Sequence, residues 1–281
     1  MRIEFSKMQG LGNDFLVFDA PAAAQAGRID SNMIRALADR HRGVGFDQAL
    51  MLEPARDSRS RVFYRIFNSD GGEVEQCGNG ARCIAALMYA RQPELGRDLV
   101  MDSVGGIVRA RVQEDGLIAV DMGIPNFEPR SLPMEAAAES PAYSLEIDGA
   151  DIAFGAVSMG NPHVVLRVPD VSAAPLERLG PAIENHPRFA NRTNVGFMQI
   201  VDRNHIRLRV HERGVGETLA CGTGACAATA VGVKSGLLEP QVRVDLPGGW
   251  ARVTWPGPGR HLWLTGPATL VFTGSIDING S

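Results

Sequence analysis

The chain has 281 residues, enough for one large domain or two smaller ones, and 44% hydrophobic with 21% charged residues is typical of a globular protein. Its net charge of −4, without a cluster of Lys or Arg, gives no electrostatic reason to expect binding to nucleic acid or to an anionic membrane. Lys7 and Lys234 are the only lysines, which disfavours a pyridoxal-phosphate enzyme because that cofactor needs a Schiff-base lysine.

The N-terminal segment Met1–Lys7 lacks the apolar core of a signal peptide and is predicted to be a strand. No apolar run reaches the ~18 to 20 residues that cross a bilayer. We therefore expect a cytoplasmic protein. In that reducing compartment its four cysteines are expected to be catalytic, metal-binding or inert rather than paired in disulfides.

Local patterns predict helices and strands along the rest of the chain. Ser31–Arg40 is predicted to be a helix with a Ser cap, and the alanine-rich segments Ala81–Ala90 and Ala225–Val233 favour helix as well. Alternating polarity predicts strands at Arg61–Phe67, Gly106–Val112, Leu117–Met122, His205–His211, Trp250–Trp255 and His261–Leu264. Many antiparallel strands with few helices indicate an α+β fold in which sheets wrap around a helix.

The sequence repeats itself at a shift of 144 residues, which is the separation of Cys77 and Cys221. The identical positions concentrate on glycines and on the cysteine: Arg65 with Arg209, Gly72 with Gly216, Glu73 with Glu217, Cys77 with Cys221, Gly78 with Gly222, Gly80 with Gly224, Ala81 with Ala225 and Ala86 with Ala230. Such agreement indicates two homologous halves. We predict a first half of residues 1–125 plus 268–281, with a terminal strand completing its sheet, and a second half of residues 126–267.

Each repeated cysteine stands in a glycine-rich turn before a predicted helix. Helix N-termini carry unpaired N–H groups and about half a positive charge. We therefore expect each thiol to have a lowered pKa, and each turn to bind a carboxylate. The N–H groups concerned are those of Gly78, Asn79, Gly222 and Thr223.

Two such turns predict racemisation by two bases. One cysteine would remove the α-proton of an amino acid, and the other would deliver a proton to the opposite face. The N–H groups would stabilise the carbanion as charge develops on its carboxylate. A single cysteine before a helix is usually a buried small hydrophobe, but two copies of one motif favour catalysis.

Cys83 and Cys226 do not obey the repeat, and we predict that both are packing residues. A zinc site built from all four cysteines stays an alternative, although their spacings are looser than those of most zinc knuckles. A thiol-redox protein is a second alternative, and it would depend on Cys83 and Cys226 as much as on the repeated pair.

Asn68 and Glu212 stand nine residues before the two repeated cysteines. Different chemistry at equivalent positions is what an asymmetric substrate demands of a symmetric scaffold. Asn68 also suits a plain turn, and His163 taken alone is more often structural than catalytic.

Seven segments resemble diaminopimelate epimerases, in order and over nearly the whole chain: Met8–Phe15, Asp39–Gln48, Asn68–Gly71, Cys77–Cys83, Gly160–His163, Arg192–Val195 and Glu212–Ala225. The resemblance implies two pseudo-symmetric homologous domains, each a β-sheet barrel around a central helix, with the active site in the interdomain cleft. It implies interconversion of LL- and meso-diaminopimelate, for lysine and peptidoglycan synthesis, by a homodimer that uses no cofactor and no metal.

The resemblance also implies roles for single residues. Cys77 and Cys221 match the acid/base pair, and His163 and Glu212 match positions that tune the cysteines and the substrate amino group. Positions that bind the substrate, largely its unreacting end, match Asn13, Gln48, Asn68, Asn161, Asn194 and Arg213. His211 departs from the aromatic residue expected before Glu212.

Within enzymes, a proline or hydroxyproline racemase is the runner-up, since it shares the duplicated scaffold and the paired cysteines. Those enzymes resemble Cys-Gly-His-Gly at the first site, where this chain has Cys-Gly-Asn-Gly at Cys77–Gly80.

Overall fold

The computed structural model of the protein describes residues 2–20, 29–75, 77–136 and 138–277. The chain forms two compact units, each defined by contacts among its own residues. Unit 1 is Met1–Val120 with Gly266–Ser281, and unit 2 is Asp121–Thr265. Strands form most of each unit and helices are few, so the predicted two-domain α+β class is confirmed. Met1, at the start of the predicted first strand, and residues 278–281, at the end of the predicted first half, lie outside the described residues.

The elements of the chain up to Asp121 are β1 (Arg2–Gly10), β2 (Asn13–Asp19), α1 (Ser31–Ala38), β3 (Gln48–Glu53), β4 (Phe63–Asn68), β5 (Glu73–Val74), α2 (Gly78–Arg91), β6 (Asp98–Ser103), β7 (Gly106–Val112) and β8 (Ile118–Asp121). Those that follow are β9 (Tyr143–Ile147), β10 (Ala150–Ser158), β11 (Pro162–Arg167), α3 (Leu176–Glu184), β12 (Asn194–Asp202), β13 (His205–Glu212), β14 (Gly216–Glu217), α4 (Gly222–Lys234), β15 (Gln241–Leu246), β16 (Gly249–Thr254), β17 (Trp263–Gly266) and β18 (Thr269–Asp277). Single 3₁₀ turns lie at Pro93–Leu95 and Pro129–Ser131.

The two units are built on one strand order. In unit 1, β18 pairs with β1, followed by β2, β3, β4, β6, β7 and β8. In unit 2, β9 pairs with β10, followed by β11, β12, β13, β15, β16 and β17. The pairs β2–β3 and β4–β6 are parallel, as are β11–β12 and β13–β15. The shared order is the structural form of the repeat at 144 residues.

Each unit curls its sheet around one buried helix. In unit 1, α2 packs against β1, β2, β7 and β18, and in unit 2, α4 packs against β10, β11, β12, β13 and β16. Every residue from Gly224 to Gly232 is buried. A helix enclosed on all sides favours small side chains, which explains the alanine-rich composition of both segments.

The outer helices cover the opposite face of each sheet. Leu16 and Phe18 of β2 share a buried cluster with Ile34 of α1, whereas Phe15 and Leu50 lie beside Gly80 of α2. Such strands are apolar on both faces, as is typical of parallel neighbours covered by helices on each side. In unit 2, α3 contributes to the corresponding cluster through Leu176, Leu179 and Ile183.

The predicted elements occur with shifted ends. The strand predicted at Gly106–Val112 has those bounds, whereas His261–Leu264 is replaced by β17, which starts two residues later. The prediction of a Ser cap on α1 is wrong, because the Asp30 side chain accepts the Met33 N–H at 2.8 Å and Ser31 is the first helical residue. The helix also ends at Ala38 rather than at residue 40. Sequence reasoning did not predict α3.

Candidate active site

In unit 1, Cys77 is the residue that caps the N-terminus of α2. Its backbone is extended, and its Sγ accepts the Gly80 N–H at 3.4 Å. The same sulfur lies 4.0 Å from Oδ1 of Asn13, the first residue of β2. The side chain is partly exposed, so the thiol stands at the surface of the unit. This placement agrees with a sulfur that meets a ligand.

In unit 2, Cys221 is likewise the extended residue that precedes the first turn of α4, but its side chain makes no cap hydrogen bond and its environment differs. The residue is buried, and its Sγ lies 3.6 Å from the Thr223 hydroxyl. The Glu212 carboxylate accepts the Thr218 hydroxyl, and its negative charge acts on the thiol. The cysteine of unit 2 therefore has a carboxylate partner in its own unit.

The environment of Cys221 overturns the expected ionisation of its thiol. Burial raises the pKa of Cys221 well above its usual value, and the negative charge of Glu212 adds to the rise. A helix N-terminus stabilises an anion by about 1 kcal/mol or less at most sites, whereas full burial can shift a pKa by about 3 to 5 units. The prediction of a lowered pKa is thus wrong for Cys221, which is a protonated thiol at neutral pH.

The second glycine of each cysteine turn permits close packing of the helix end on the sheet. A Cβ at Gly80 would lie 3.1 Å from Leu50 Cδ2, and a Cβ at Gly224 would lie 2.9 Å from Val210 Cγ2. Contacts this short require glycine or a shift of the strand side chain. The second glycine of the repeated Cys-Gly-x-Gly pattern is therefore explained by the close approach of each helix end to its sheet.

The predicted binding residues of unit 1 meet at one edge of its sheet. Asn13 and Gln48 begin the parallel strands β2 and β3, and Asn68 ends β4 directly opposite Gln48. Gln48 Nε2 donates to Asn68 Oδ1 at 2.9 Å. Gln48 Oε1 is buried and has no hydrogen-bond partner among the described residues. A ligand donor at this edge would satisfy that oxygen.

The predicted residues of unit 2 form a chain of contacts that ends at Cys221. His163 Nε2 lies 3.1 Å from Asn161 Oδ1, and Asn161 Nδ2 donates to the Thr223 hydroxyl at 3.4 Å. Burial and then the nearby charge of Arg213 lower the pKa of His163 to about 3, so its imidazole is neutral at neutral pH. His163 is thus placed to orient Asn161 and Thr223 rather than to carry charge.

Asn194 and Arg213 are joined through the turn after β13. Asn194 Oδ1 accepts the Arg213 N–H at 3.0 Å, and Asn194 Nδ2 donates to the Pro162 carbonyl at 2.9 Å. The Arg213 guanidinium is exposed and donates to the Asn191 carbonyl at 3.0 Å. The Asn194 side chain is therefore bonded to backbone groups of Pro162 and Arg213. The Arg213 guanidinium places a positive charge at the surface of unit 2.

Sequence reasoning missed three polar residues, of which two bond to predicted residues and the third bonds to the backbone next to Arg213. Asp47 accepts Asn13 Nδ2 at 2.9 Å, Thr218 donates to Glu212, and Glu184 accepts the Gly214 N–H at 2.8 Å. Asp47 and Thr218 lie inside the segments Asp39–Gln48 and Glu212–Ala225 that carried the family resemblance, which was the available signal.

Within residues 2–20, 29–75, 77–136 and 138–277, no three His, Cys, Asp or Glu side chains are grouped as a metal site requires. Over the same ranges, no helix combines the length and the hydropathy needed to span a bilayer.

The fold is found in solved structures of epimerases. A hydroxyproline epimerase from Agrobacterium vitis matches with a TM-score of 0.68 at 15% identity, covering 98% of this chain and 92% of that one. A predicted epimerase from Pseudomonas aeruginosa matches with a TM-score of 0.68 at 17% identity, covering 99% of this chain and 100% of the other. At these identities the likeness establishes the fold alone.

Sequence similarity identifies the family within that fold. The family model for diaminopimelate epimerase matches residues 5–128 and 155–271. The diaminopimelate epimerases of Alkalilimnicola ehrlichii and Thioalkalivibrio sulfidiphilus are 52% and 54% identical to this chain, over 99% of its length and 100% of theirs. The chain therefore belongs to the diaminopimelate epimerase family, which confirms the resemblance drawn from its motifs.

Proposed function

We propose that the chain interconverts LL- and meso-2,6-diaminopimelate, as its family membership supports. It is an amino-acid epimerase acting on a small-molecule substrate. The observation that carries the proposal is the repeated cysteine, which caps a buried helix once in each unit. Inversion at carbon needs a base on one face and an acid on the other, and a duplicated thiol supplies both.

In the proposed scheme, the Cys77 thiolate removes the α-proton, and the electron pair left on carbon delocalises into the substrate carboxylate. The Cys221 thiol then gives its proton to the opposite face, which leaves Cys77 as thiol and Cys221 as thiolate. Cys221 is assigned as the donor because burial and Glu212 raise its pKa and keep it protonated. The reverse reaction exchanges the two roles.

The first two residues of α2 and α4 are proposed to bind the reacting carboxylate. Gly78 and Asn79 open α2, and Gly222 and Thr223 open α4. N–H groups at the start of a helix point toward its N-terminal end, and the helix dipole favours an anion there. As the α-carbon loses its proton, negative charge grows on the carboxylate, and these donors stabilise it where it develops.

The remaining predicted residues are proposed to bind the amino groups and the unreacting end of the substrate. Gln48 Oε1, which has no partner within the described part of the chain, is suited to an ammonium donor, and the exposed Arg213 guanidinium is suited to a carboxylate. The other polar groups proposed to contact the substrate are Asn13, Asn68, Asn161, Asn194 and Glu212. His163 would hold Asn161 in place as a neutral ring.

Heavy water provides the test of this function. Freshly reduced enzyme with LL-diaminopimelate and no added cofactor should form the meso isomer with one deuterium at the inverted α-carbon, as read by mass spectrometry and NMR. A parallel incubation with L-proline should show no exchange. Exchange of proline but not of diaminopimelate would assign the chain to the racemase alternative, and no exchange of either would refute the proposal.

The proposal extends to the setting of the enzyme. By the family resemblance, we propose a cytoplasmic homodimer that feeds lysine and peptidoglycan synthesis without a cofactor. Analytical ultracentrifugation should give twice the mass of the 281-residue chain. A single species at the monomer mass would contradict the dimer.

A further inference from the structure

A buried carboxylate outside the cysteine turns holds the Arg213–Val215 turn. Glu184 is the last residue of α3, and only 5% of its surface is exposed. Its Oε1 accepts the Gly214 N–H at 2.8 Å and the Arg192 guanidinium at 3.1 Å. Its Oε2 lies 2.8 Å from His211 Nε2. Both oxygens are thus engaged by partners in or beside this turn.

The three successive N–H groups of the turn show how it is fixed. The Arg213 N–H donates to Asn194, the Gly214 N–H donates to Glu184, and the Val215 N–H donates to the Glu212 carbonyl at 3.0 Å. Two of the three acceptors are side chains from distant elements, so the turn is pinned to α3 and β12. The Glu212 side chain leaves the backbone directly before these pinned groups.

His211 reaches Glu184 because α3 has no side chain in the way. A Cβ at Gly180, one helical turn before Glu184, would lie 2.6 Å from Cγ of the His211 ring. Real Cβ contacts are longer, so the ring packs directly on the helix backbone. A plain aromatic residue, which the family resemblance leads us to expect at position 211, would fill that space without bonding Glu184.

We propose that Glu184 is a positioning residue of the epimerase, acting through the Arg213–Val215 turn to hold the Glu212 carboxylate against Cys221. The inference rests on the proposed function, in which Glu212 and Arg213 serve the substrate and the thiol. A buried carboxylate is stable only when its charge and its lone pairs are matched, and here the partners that match it are in or beside this turn. Loss of the negative charge of Glu184 weakens its bonds to the Gly214 N–H, Arg192 and His211, so the turn loosens and Glu212 moves away from the sulfur.

The test compares Glu184→Gln with Glu177→Gln, an exposed glutamate in the first turn of the same helix. Glu184→Gln should lower kcat/KM by up to about 10²-fold, since small misplacement of an active-site group has effects of that size. Glu177→Gln should stay within twofold of the unsubstituted enzyme. A Glu184→Gln enzyme that also stays within twofold would overturn the inference.

A second measurement separates positioning from general loss of stability. The pH dependence of Cys221 alkylation by iodoacetamide is followed by mass spectrometry of its peptide. Because Glu212 raises the pKa of Cys221, Glu184→Gln should lower the labelling midpoint, and Glu212→Gln should lower it as well. Looser packing would also lower the midpoint, because burial raises the pKa of Cys221, so Glu184→Gln is repeated in a Glu212→Gln background. A positioning role that acts through Glu212 gives no further shift in that background. A further shift there, or an unmoved midpoint in the single variant, would contradict the inference.

Two further outcomes distinguish failure of the positioning role of Glu184 from failure of the proposed epimerase function. Should Glu184→Gln fail to fold, His211→Phe takes its place, because it removes one bond to Glu184 and keeps a ring against Gly180. Should the unsubstituted enzyme fail to epimerise diaminopimelate, the proposed function is refuted. The labelling midpoint still tests the positioning role, because it needs no substrate.

Discussion

The two units repeat one backbone plan and differ in the chemistry around the cysteine. In unit 1, Cys77 is partly exposed and bonds to the Gly80 N–H. In unit 2, Cys221 is buried beside Glu212, which raises the pKa of its thiol. Duplication supplied two thiols in equivalent places, and divergence of the surrounding side chains made them unequal. In the proposed scheme, this difference makes Cys221 the acid and Cys77 the base for the inversion of LL-diaminopimelate.

The same contrast holds for the turns that carry Asn68 and Glu212. In unit 1, α1 holds its turn through two side-chain donors, since Ser31 Oγ donates to the Gly71 carbonyl and Arg35 donates to the Asp70 carbonyl. In unit 2, α3 holds the equivalent turn through the buried Glu184. The outer helix contacts the turn in both units. In unit 1 its side chains donate to carbonyls of the turn, whereas in unit 2 its carboxylate accepts an N–H of the turn.

The largest effect is expected from removing either thiol. Cys77→Ser and Cys221→Ser should each lower kcat by about 10²- to 10⁴-fold, because a positioned acid or base contributes that much. Polarimetry or coupled assay of meso-diaminopimelate formation measures the loss. Cys83→Ala and Cys226→Ala are the matched controls, since both thiols are fully buried in the central helices. Full turnover by either serine variant, or inactivation by either alanine variant, would break the contrast between repeated and unrepeated cysteines.

A smaller effect is expected from the residue pair Phe15 and His163, which occupy matching places in β2 and β11. The pKa of buried His163 falls from 6.5 to about 3. The folded state therefore binds fewer protons than the unfolded chain, so the stability present above pH 6.5 is lost as the pH falls toward 3. The loss is about 1.4 kcal/mol per pH unit.

His163→Phe, which copies unit 1, should remove this contribution to the pH dependence. Urea unfolding at pH 6.5 and 4.5 measures the difference in stability between the two conditions. The unsubstituted protein should lose about 2 to 3 kcal/mol more than the variant. Equal losses would show that His163 is protonated in the folded protein.

The smallest effect tests the packing of His211 on α3. Gly180→Ala should destabilise the protein by about 1 to 3 kcal/mol, because the new methyl group overlaps the His211 ring. In a His211→Gly background both the ring and the His211 Cβ, which would lie 2.9 Å from the new methyl group, are absent, and the same change should be stabilising by up to about 1 kcal/mol through helix propensity. Thermal unfolding of the four proteins measures both signs. Equal destabilisation in both backgrounds would place the clash elsewhere.

The cysteine turns could be read from the sequence because their determinants are local. Cys77, Gly78 and Gly80 are neighbours in the chain, and their copies at Cys221 follow the same spacing. The strands flanking them alternate in polarity and were found for the same reason. Even so, the α1 cap was placed one residue late, because Asp30 and Ser31 both suit a cap and only the backbone geometry decides between them.

What the sequence could not provide depends on contacts between distant residues. The protonated state of Cys221 follows from burial and from Glu212, and neither is visible in the turn itself. The helix α3 was missed because Pro181 lies inside it, although Leu176, Leu179 and Ile183 have helical spacing. A shift of α1 by 144 residues falls on this segment. The repeat therefore indicates a helix at α3, which the local pattern does not.

The central claim is that one thiol takes the proton and the other delivers a different one. The most direct test follows early turnover of LL-diaminopimelate in heavy water, before the reverse reaction contributes. The two-thiol account predicts meso product with a full deuterium at the inverted carbon, while recovered LL substrate stays unlabelled. Product that retains the substrate's own proton would mean that a single group carries it between faces, and would contradict the account.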